Sequence, residues 1–212
     1  FVDAVKRRDF EETLKHLVDL VNNNPEMDWP FLSNPDSTVW VNYPVDRQVL
    51  NKDLSHRDWY KGVSREWKPY ISSVYKLIVG EQDLAVAVSV PVFDEEGKAI
   101  GILSTAQSAV FLQKTIGEVG FNLDANITLI DQEGHIICSS RFPYTKLVID
   151  YPPLGFVEKA MKGGKGDVEV RDASDQNRVK YASFAPVEGI GWSVIVEKAK
   201  SEVFRSEISY LA

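Results

Sequence analysis

Residues 84–104, LAVAVSVPVFDEEGKAIGILS, decide the fold class of this chain. The segment from Leu84 to Phe93 is rich in valine and alternates in part between apolar and polar positions, which is typical of a β-strand. Residues 94–98 supply turn chemistry, with an acidic start and a glycine near the end. A second apolar run follows from Ile100 to Ser104. We therefore predict two antiparallel strands joined by a short polar turn.

A helical pattern precedes this hairpin at the start of the chain. Apolar residues recur there at three- and four-residue steps, which indicates an amphipathic helix: Val2, Val5, Phe10, Leu14, Leu17, Val18 and Val21. The segment from Asn22 to Pro25 ends the pattern, because asparagine tolerates the left-handed conformation and proline cannot continue a helix. We predict one long N-terminal helix, with its connector, over residues 1–34.

The second half of the chain again alternates short strands with turns. The strand patterns lie near residues 127–130, 135–138, 166–170, 178–186 and 191–197, with a short helix at 154–161. Every segment fits an arrangement of two tandem α+β units, over residues 35–120 and 121–200, followed by a C-terminal helix over residues 201–212. The predicted fold class is α+β. A weak resemblance between the hairpins of the two units favours an internal repeat, but chance similarity explains it equally well.

Composition narrows the function classes. Of 212 residues, 44% are hydrophobic and 26% are charged, which are ordinary values for a globular protein. A net charge of −7 disfavours nucleic acid and anionic membrane surfaces as partners. Cys138 stands alone, which excludes an intrachain disulfide. The sequence starts at Phe1, without Met or a secretory signal, so we expect a piece of a longer protein whose transmembrane segments lie elsewhere.

Signals for catalysis are weak. The sequence has no His-Glu-x-x-His, Gly-x-Ser-x-Gly or phosphate-binding loop motif. The three histidines, His16, His56 and His135, are predicted to be solvated. We expect no catalytic residue, no cofactor and no metal site.

One segment concentrates the residue types of a ligand pocket. Residues 53–62, DLSHRDWYKG, and 67–75, WKPYISSVY, combine several aromatic rings with Arg57. An arginine fork binds a carboxylate bidentately, and tryptophan and tyrosine supply pocket walls and N–H or O–H donors. The alternative is purely structural: Ser55 caps a short helix, the aromatics pack on the core, and Arg57 pairs with a surface acid.

These two segments, together with VSVPVFDEEGKAIGIL at residues 88–103, resemble the double Cache (dCache) family. Members of this family are extracytoplasmic sensor domains of prokaryotic histidine kinases, chemoreceptors and diguanylate cyclases. The resemblance covers essentially the whole chain and implies a long first helix, two PAS-like units with antiparallel sheets, and an exit helix. It also implies that Arg57 and Trp59 bind a ligand carboxylate, with Tyr60 and Tyr75 as neighbouring aromatic residues.

Two positions depart from the amino-acid-binding pattern of that family. Lys52 stands where the pattern has a tyrosine, and Ala106 stands where it has an aspartate for the ligand amine. A buried ammonium group without a counter-charge is unfavourable. The resemblance therefore favours a small organic acid, or another ligand with one anionic end, over an ordinary α-amino acid.

The resulting expectation is a sensor on the outer face of a membrane. The unit over 35–120 would be membrane-distal and bind the ligand, and the unit over 121–200 would be membrane-proximal and couple it to flanking transmembrane helices. We expect a homodimer in the full receptor. Two alternatives remain open: a secreted carbohydrate-binding or hydrolase accessory domain that uses Trp40, Trp59 and Trp67, and a sensor that binds a periplasmic protein without a small ligand.

One geometric question also remains open in the sequence. On a regular helix, residues 57 and 59 point roughly 200° apart, at about 100° per residue. Both can face one ligand only if the stretch is irregular or if the ligand lies at a helix end.

Overall fold

The computed structural model describes residues 1–25, 27–78, 83–141, 144–171 and 178–203. The chain forms two compact units, Phe1–Ala109 and Val110–Ala212. Each unit is built on one antiparallel sheet with helices packed against it. The predicted α+β class with antiparallel sheets is confirmed.

The described residues of the first unit form three helices and six strands. The helices are α1 (Val2–Arg7), α2 (Phe10–Asn23) and α3 (Asp58–Glu66); the strands are β1 (Pro30–Ser33), β2 (Val39–Asn42), β3 (Tyr70–Ile71), β4 (Tyr75–Lys76), β5 (Leu84–Phe93) and β6 (Ala99–Ser108). The strand order is β2-β1-β6-β5-β3, and β4 also pairs with β5.

The predicted hairpin at residues 84–104 is confirmed as the β5–β6 pair. The two strands pair antiparallel from Ala85 opposite Ser108 to Phe93 opposite Ala99. The Asp94 carboxylate accepts hydrogen bonds from the backbone N–H groups of Glu96 and Lys98, which closes the turn. Glycine at position 97 permits the left-handed conformation that this turn requires, with φ at 77°.

The sheet of the first unit buries both of its faces. On one face, α1 and α2 cover a cluster that includes Leu17, Leu32 and Val41. On the other face, α3 places Trp59 and Val63 in a second cluster with strand residues such as Phe31, Ala87 and Ile102. The candidate site lies on this second face.

The predicted long N-terminal helix is wrong: the structure has two helices separated by Arg8 and Asp9. Arg8 adopts the left-handed conformation (φ 55°) and ends α1. The Asp9 carboxylate then accepts a hydrogen bond of 3.0 Å from the backbone N–H of Glu12, so Asp9 caps a new helix. An apolar pattern that continues across the break concealed this local capping signal.

Apart from a short helical segment at residues 200–203, the second unit contains two helices and five strands among its described residues. They are α4 (Ala109–Leu123), which starts at the unit boundary, β7 (Asn126–Ile130), β8 (Ile136–Ser139), α5 (Gly155–Met161), β9 (Gly166–Arg171), β10 (Val179–Pro186) and β11 (Ser193–Ala199). The strand order is β8-β7-β11-β10-β9. Residues 200–203 are helical, whereas most of the predicted C-terminal helix, residues 204–212, lies outside the described residues.

Helix length and hydropathy also bear on membrane insertion. Across the described part of the chain, no helix has the length and apolar character needed to cross a bilayer.

Candidate ligand-binding site

A cavity of about 370 Å³ opens on the α3 side of the first unit. This volume falls within the usual range for small-molecule sites. Its walls are mainly aromatic and aliphatic, with a few polar groups: Trp29, Phe31, Asn42, Tyr43, Pro44, Val45, Asp46, Arg47, Val49, Leu54, Arg57, Trp59, Tyr75, Leu77, Ile78 and Ala106. Three of the four predicted ligand-binding residues, Arg57, Trp59 and Tyr75, therefore line one cavity.

The start of α3 explains how Arg57 and Trp59 share that cavity. Arg57 is the N-cap residue and has extended dihedral angles (φ −73°, ψ 144°), so it lies outside the regular helix. Trp59 lies in the first turn of α3. The angular separation of a regular helix does not apply across a cap, and both side chains line the cavity at the N-terminal end of α3.

Arg57 has few protein partners. Its Nη1 donates one long hydrogen bond of 3.5 Å to the backbone oxygen of Lys76. Its Cζ lies 5.0 Å from the centroid of the Tyr75 ring, a cation–π distance. Within the described ranges, no carboxylate pairs with Arg57, so most of its donors remain available to a ligand.

Tyr75 forms the wall against which the Arg57 guanidinium rests. Burial raises the pKa of Tyr75 to about 12, while the positive charge of Arg57 acts in the opposite direction. The phenol is therefore neutral at physiological pH and contributes an O–H group and a ring face, with no charge.

Trp59 combines a structural role with a free donor. It is 1% exposed and makes an edge-to-face contact with Phe31, at 5.3 Å between ring centroids. In the described chain its indole N–H has no hydrogen-bond partner. Trp59 lines the cavity, and its indole N–H is therefore a candidate donor to a ligand there.

Tyr60, the fourth predicted site residue, does not line the cavity. Its hydroxyl donates a hydrogen bond of 3.1 Å to the backbone oxygen of Pro35. Its ring packs edge-on against Trp59, at 6.0 Å between centroids. Tyr60 therefore packs against Trp59 without lining the cavity.

A hydrogen-bonded brace fixes α3 against the sheet. The Asp58 carboxylate accepts hydrogen bonds from the Tyr70 hydroxyl at 3.2 Å and from the Ser73 backbone N–H at 2.8 Å. The Tyr70 ring lies so close to α3 that a Cβ at Gly62 would come within 2.2 Å of it. Glycine at position 62 is therefore required for this approach, which positions the start of α3 and with it Arg57.

Lys52 and Ala106, the two residues that depart from the amino-acid-binding pattern, differ in their position relative to the cavity. Lys52 is exposed and does not line the cavity. Ala106 is 3% exposed and does line it, so the wall is apolar at this position.

Sequence reasoning missed the turn after β2, which supplies Asp46 and Arg47 to the cavity wall. One Asp46 oxygen accepts a hydrogen bond of 2.7 Å from the Gln48 backbone N–H, as in an Asx turn. Arg47 is exposed and has no ion-pair partner in the described ranges. With Arg57, the charged residues of the described wall are two arginines and one aspartate, which leave one net positive charge.

The tryptophans considered for sugar stacking do not form one platform. Trp40 packs against the cluster beneath α1 and α2, and Arg8 lies over its ring at 5.8 Å. Trp59 and Trp67 belong to the cluster beneath α3. Trp40 therefore shares no surface with the other two.

The second unit has a larger hollow of about 1130 Å³, which is more open and more polar. Its walls include Lys180 and Glu197, whose side chains are about nine-tenths buried and whose charged atoms lie 3.8 Å apart. Lys198 also lines it and pairs with Asp124 at 3.5 Å. Several charges of this hollow are thus already compensated within the protein, unlike Arg57.

Solved structures with the same fold come from membrane receptors. The extracellular ligand binding receptor from Desulfohalobium retbaense superposes with a TM-score of 0.67 at 17% identity, over 92% of this chain but only 35% of that one. The extracellular domain mmHK1S-Z3, described as that of a histidine kinase, gives a TM-score of 0.74 at 18% identity, over 94% and 82% of the two chains. The ligand-binding domain of the Pseudomonas aeruginosa chemoreceptor PctB, in complex with L-Gln, gives 0.70 at 16%, over 99% and 84%.

Sequence comparison identifies the family directly. No curated protein matches the sequence. The family model dCache_1, a Cache domain, matches residues 3–206, which is nearly the whole chain. The chain therefore belongs to the double Cache family, whose members are extracytoplasmic ligand-sensing domains of membrane receptors.

Proposed function

We propose that this chain is the ligand-sensing domain of a prokaryotic signalling receptor, and that its first unit binds a small molecule through a carboxylate or similar anionic group. The observation that carries this proposal is the Arg57 guanidinium, which faces a cavity of 370 Å³ and has no carboxylate partner among the described residues. A bidentate arginine–carboxylate pair at such a site is strong and directional.

The start of α3 adds to the attraction for an anion. The N-cap side chain makes no capping hydrogen bond, so backbone N–H groups of the first turn lack the side-chain partner that a cap usually supplies. The helix dipole favours negative charge at this end by roughly 0.3–1 kcal/mol. This effect adds to the attraction that Arg57 and the indole N–H of Trp59 exert on a ligand anion.

The preferred ligand is an organic acid and not an ordinary α-amino acid. Ala106 offers no counter-charge for an ammonium group, and the one carboxylate in the described wall, Asp46, accepts a hydrogen bond from its own turn through one oxygen. The single net positive charge of that wall is neutralised by one net negative charge on the ligand.

In the full receptor, the first unit is the membrane-distal ligand-binding unit and the second is the membrane-proximal unit. Transmembrane helices flank the domain, a homodimer transmits the signal, and the output domain is of the histidine kinase, chemoreceptor or diguanylate cyclase type. Binding involves no chemistry. The ligand shifts the receptor only by the difference between its affinities for the two signalling states.

The test is a thermal-shift screen of the whole chain against organic acids, amino acids, sugars and polyamines, followed by calorimetry on each hit. Arg57→Ala should weaken carboxylate binding by roughly 10- to 150-fold, the loss of a charged hydrogen-bonded pair worth about 1.5–3 kcal/mol. Arg65→Ala removes the same charge from an exposed position on the same helix and should leave affinity unchanged. Carboxylate binding that survives Arg57→Ala, or a sugar hit that is insensitive to it, would contradict the proposal.

A further inference from the structure

Helix α4 carries an exposed apolar surface. Only two of its 15 residues are charged, Lys114 and Glu118. Phe111 is 51% exposed and Phe121 is 86% exposed. The exposed large apolar residues of α4 are Val110, Phe111, Val119, Phe121 and Leu123. Exposed apolar surface that is concentrated on one element is typical of a contact with another protein.

Contacts within the second unit fix which side of α4 faces inward. The Gln113 Oε1 atom accepts a hydrogen bond of 3.0 Å from the backbone N–H of Ser139, and its Nε2 group donates one to the Ser139 backbone oxygen. A Cβ at Gly120 would come within 2.6 Å of the Ser140 side chain, so the helix lies very close to the end of β8 on this side. The exposed residues therefore point away from the second unit.

Four residues on the outward side form one compact stripe. At about 100° per residue, Phe111, Lys114, Glu118 and Phe121 lie within an arc of roughly 80° around the helix axis. All four are exposed. The stripe thus has a phenylalanine near each end and two opposite charges in the middle.

This stripe is complementary to itself when it is turned end for end. Positions 114 and 118 are centred on residue 116, and so are positions 111 and 121. A two-fold axis beside residue 116 therefore brings Lys114 next to Glu118 of a second copy, and Phe111 next to Phe121 of that copy. An interface with two-fold symmetry requires this kind of self-complementarity.

The charges of the stripe are available for such a contact. Neither Lys114 nor Glu118 has an ion-pair partner among the described residues. Within one helix, lysine four residues before glutamate is the less favourable order for a pair. Across the two-fold axis the same two residues form two intermolecular pairs.

We propose that α4 is a homodimer interface, in which two copies of this chain pair their α4 helices antiparallel about residue 116. The inference rests on the proposed function only for the homodimer itself, and it adds the surface through which the copies meet. It does not involve the Arg57 cavity.

Sedimentation equilibrium of the whole chain tests the pairing. We expect a monomer–dimer equilibrium with a dissociation constant between about 1 μM and 1 mM, because one helix pair buries less surface than a standard stable interface. Phe121→Ala should raise this constant roughly 10-fold or more, since the side chain is buried twice in each dimer. Phe93→Ala, which removes an exposed phenylalanine of the first unit, should leave it unchanged.

Charge reversal tests the antiparallel register. Lys114→Glu and Glu118→Lys should each weaken self-association by roughly 3- to 30-fold, because both intermolecular pairs become repulsive. The double variant that carries both changes should dimerise like the wild type. Lys162→Glu, an equal reversal at an exposed position after α5, should have no effect.

Mixing the two single variants gives the sharpest comparison. The Lys114→Glu chain has an acid at both positions and the Glu118→Lys chain has a lysine at both, so a mixed dimer restores both attractive pairs. The mixture should therefore associate more tightly than either variant alone.

The possible outcomes separate this inference from the ligand site. A chain that stays monomeric up to about 1 mM would overturn the α4 pair and leave the carboxylate site standing. A dimer that is insensitive to Phe121→Ala and to both charge reversals would show that the copies meet elsewhere. A double variant that associates as weakly as the single variants would overturn the antiparallel register.

Discussion

Arg57 owes its availability to its place at the junction between a turn and a helix. As the N-cap of α3, Arg57 has extended dihedral angles and lies outside the regular helix. Its guanidinium rests on the Tyr75 ring and has no carboxylate partner among the described residues. The sequence predicted the residue types of this arrangement, since Arg57, Trp59 and Tyr75 all line the cavity. It could not predict that residues 57 and 59 share a wall, because this depends on where α3 begins.

Tyr60 and the turn after β2 show the other limit of sequence reasoning. Tyr60 has the side chain of a wall residue, but its orientation on α3 directs its hydroxyl to the backbone of Pro35. Asp46, Arg47 and Asn42 reach the cavity only through the pairing of β2 with β1 and the turn that follows. No local pattern in the sequence indicates that pairing.

Replacing Trp59 with phenylalanine should separate its two roles. Trp59→Phe keeps an aromatic ring in the core but removes the indole N–H, which has no partner among the described residues. We expect carboxylate affinity to fall by roughly 10-fold or more, because a hydrogen bond to a charged group contributes about 1.5–3 kcal/mol. Calorimetry measures the loss, and Trp67→Phe, in the same core cluster but outside the cavity wall, should bind normally.

Tyr75 predicts a specific dependence of stability on pH. Its folded-state pKa is raised to about 12 by burial, above the unfolded value near 10. The folded state therefore holds the Tyr75 proton more tightly than the unfolded state does. The resulting contribution of Tyr75 to the free energy of unfolding is fully present below pH 10 and is lost as pH rises from about 10 to 12. Denaturant unfolding of the wild type and Tyr75→Phe should show a smaller alkaline loss in the variant. Equal losses in the two proteins would show that Tyr75 ionises as freely as in water.

At the scale of elements, predictions succeeded where local chemistry decides the structure. The β5–β6 hairpin follows from an apolar strand and an acidic turn that closes on its own backbone. The break at Arg8 was missed because a capping aspartate interrupts a helix whose apolar pattern continues. The stretch between α3 and β5 forms only the short strands β3 and β4 among its described residues, because the Ser73 backbone N–H between them is held by Asp58 on α3.

The close approach of α3 to Tyr70 gives a matched pair of glycine variants. Gly62→Ala would place a Cβ within 2.2 Å of the Tyr70 ring, whereas nothing lies within 4 Å of a Cβ at Gly117 in α4. We expect Gly62→Ala to lower stability by about 1–3 kcal/mol and to weaken ligand binding, because Tyr70 must move and its contact with Asp58 changes. Gly117→Ala should be neutral or stabilising by up to about 1 kcal/mol, since alanine favours helix.

Thermal unfolding followed by tryptophan fluorescence checks this pair. Four of the five tryptophans, at positions 29, 40, 59 and 67, belong to the first unit, so the signal reports mainly on that unit. A Gly62→Ala protein that unfolds and binds like the wild type would contradict the brace described for α3.

At the scale of the whole molecule, the cavity that contains Arg57 belongs entirely to the first of two compact units. Ligand binding therefore stabilises the first unit directly, by about 2.7 kcal/mol at a ligand concentration 100 times the dissociation constant. Any effect on the second unit must come from coupling between the units.

Hydrogen exchange of the whole chain should show that the ligand protects the first unit more than the second. With a saturating acid ligand, protection should be largest in β2, in the turn at residues 46–50 and at the start of α3, which surround the cavity. Protection concentrated in the second unit, around the polar hollow that contains Lys180, would indicate that the ligand binds there instead.

A crystal structure of the chain with a bound carboxylate ligand would test the proposed binding site of Arg57 directly. We expect the ligand in the first-unit cavity, with both carboxylate oxygens about 2.7–2.9 Å from the Arg57 guanidinium nitrogens and one oxygen accepting a hydrogen bond from the Trp59 indole. A ligand bound in the second unit, or a ligand in this cavity whose carboxylate faces away from Arg57, would contradict this expectation.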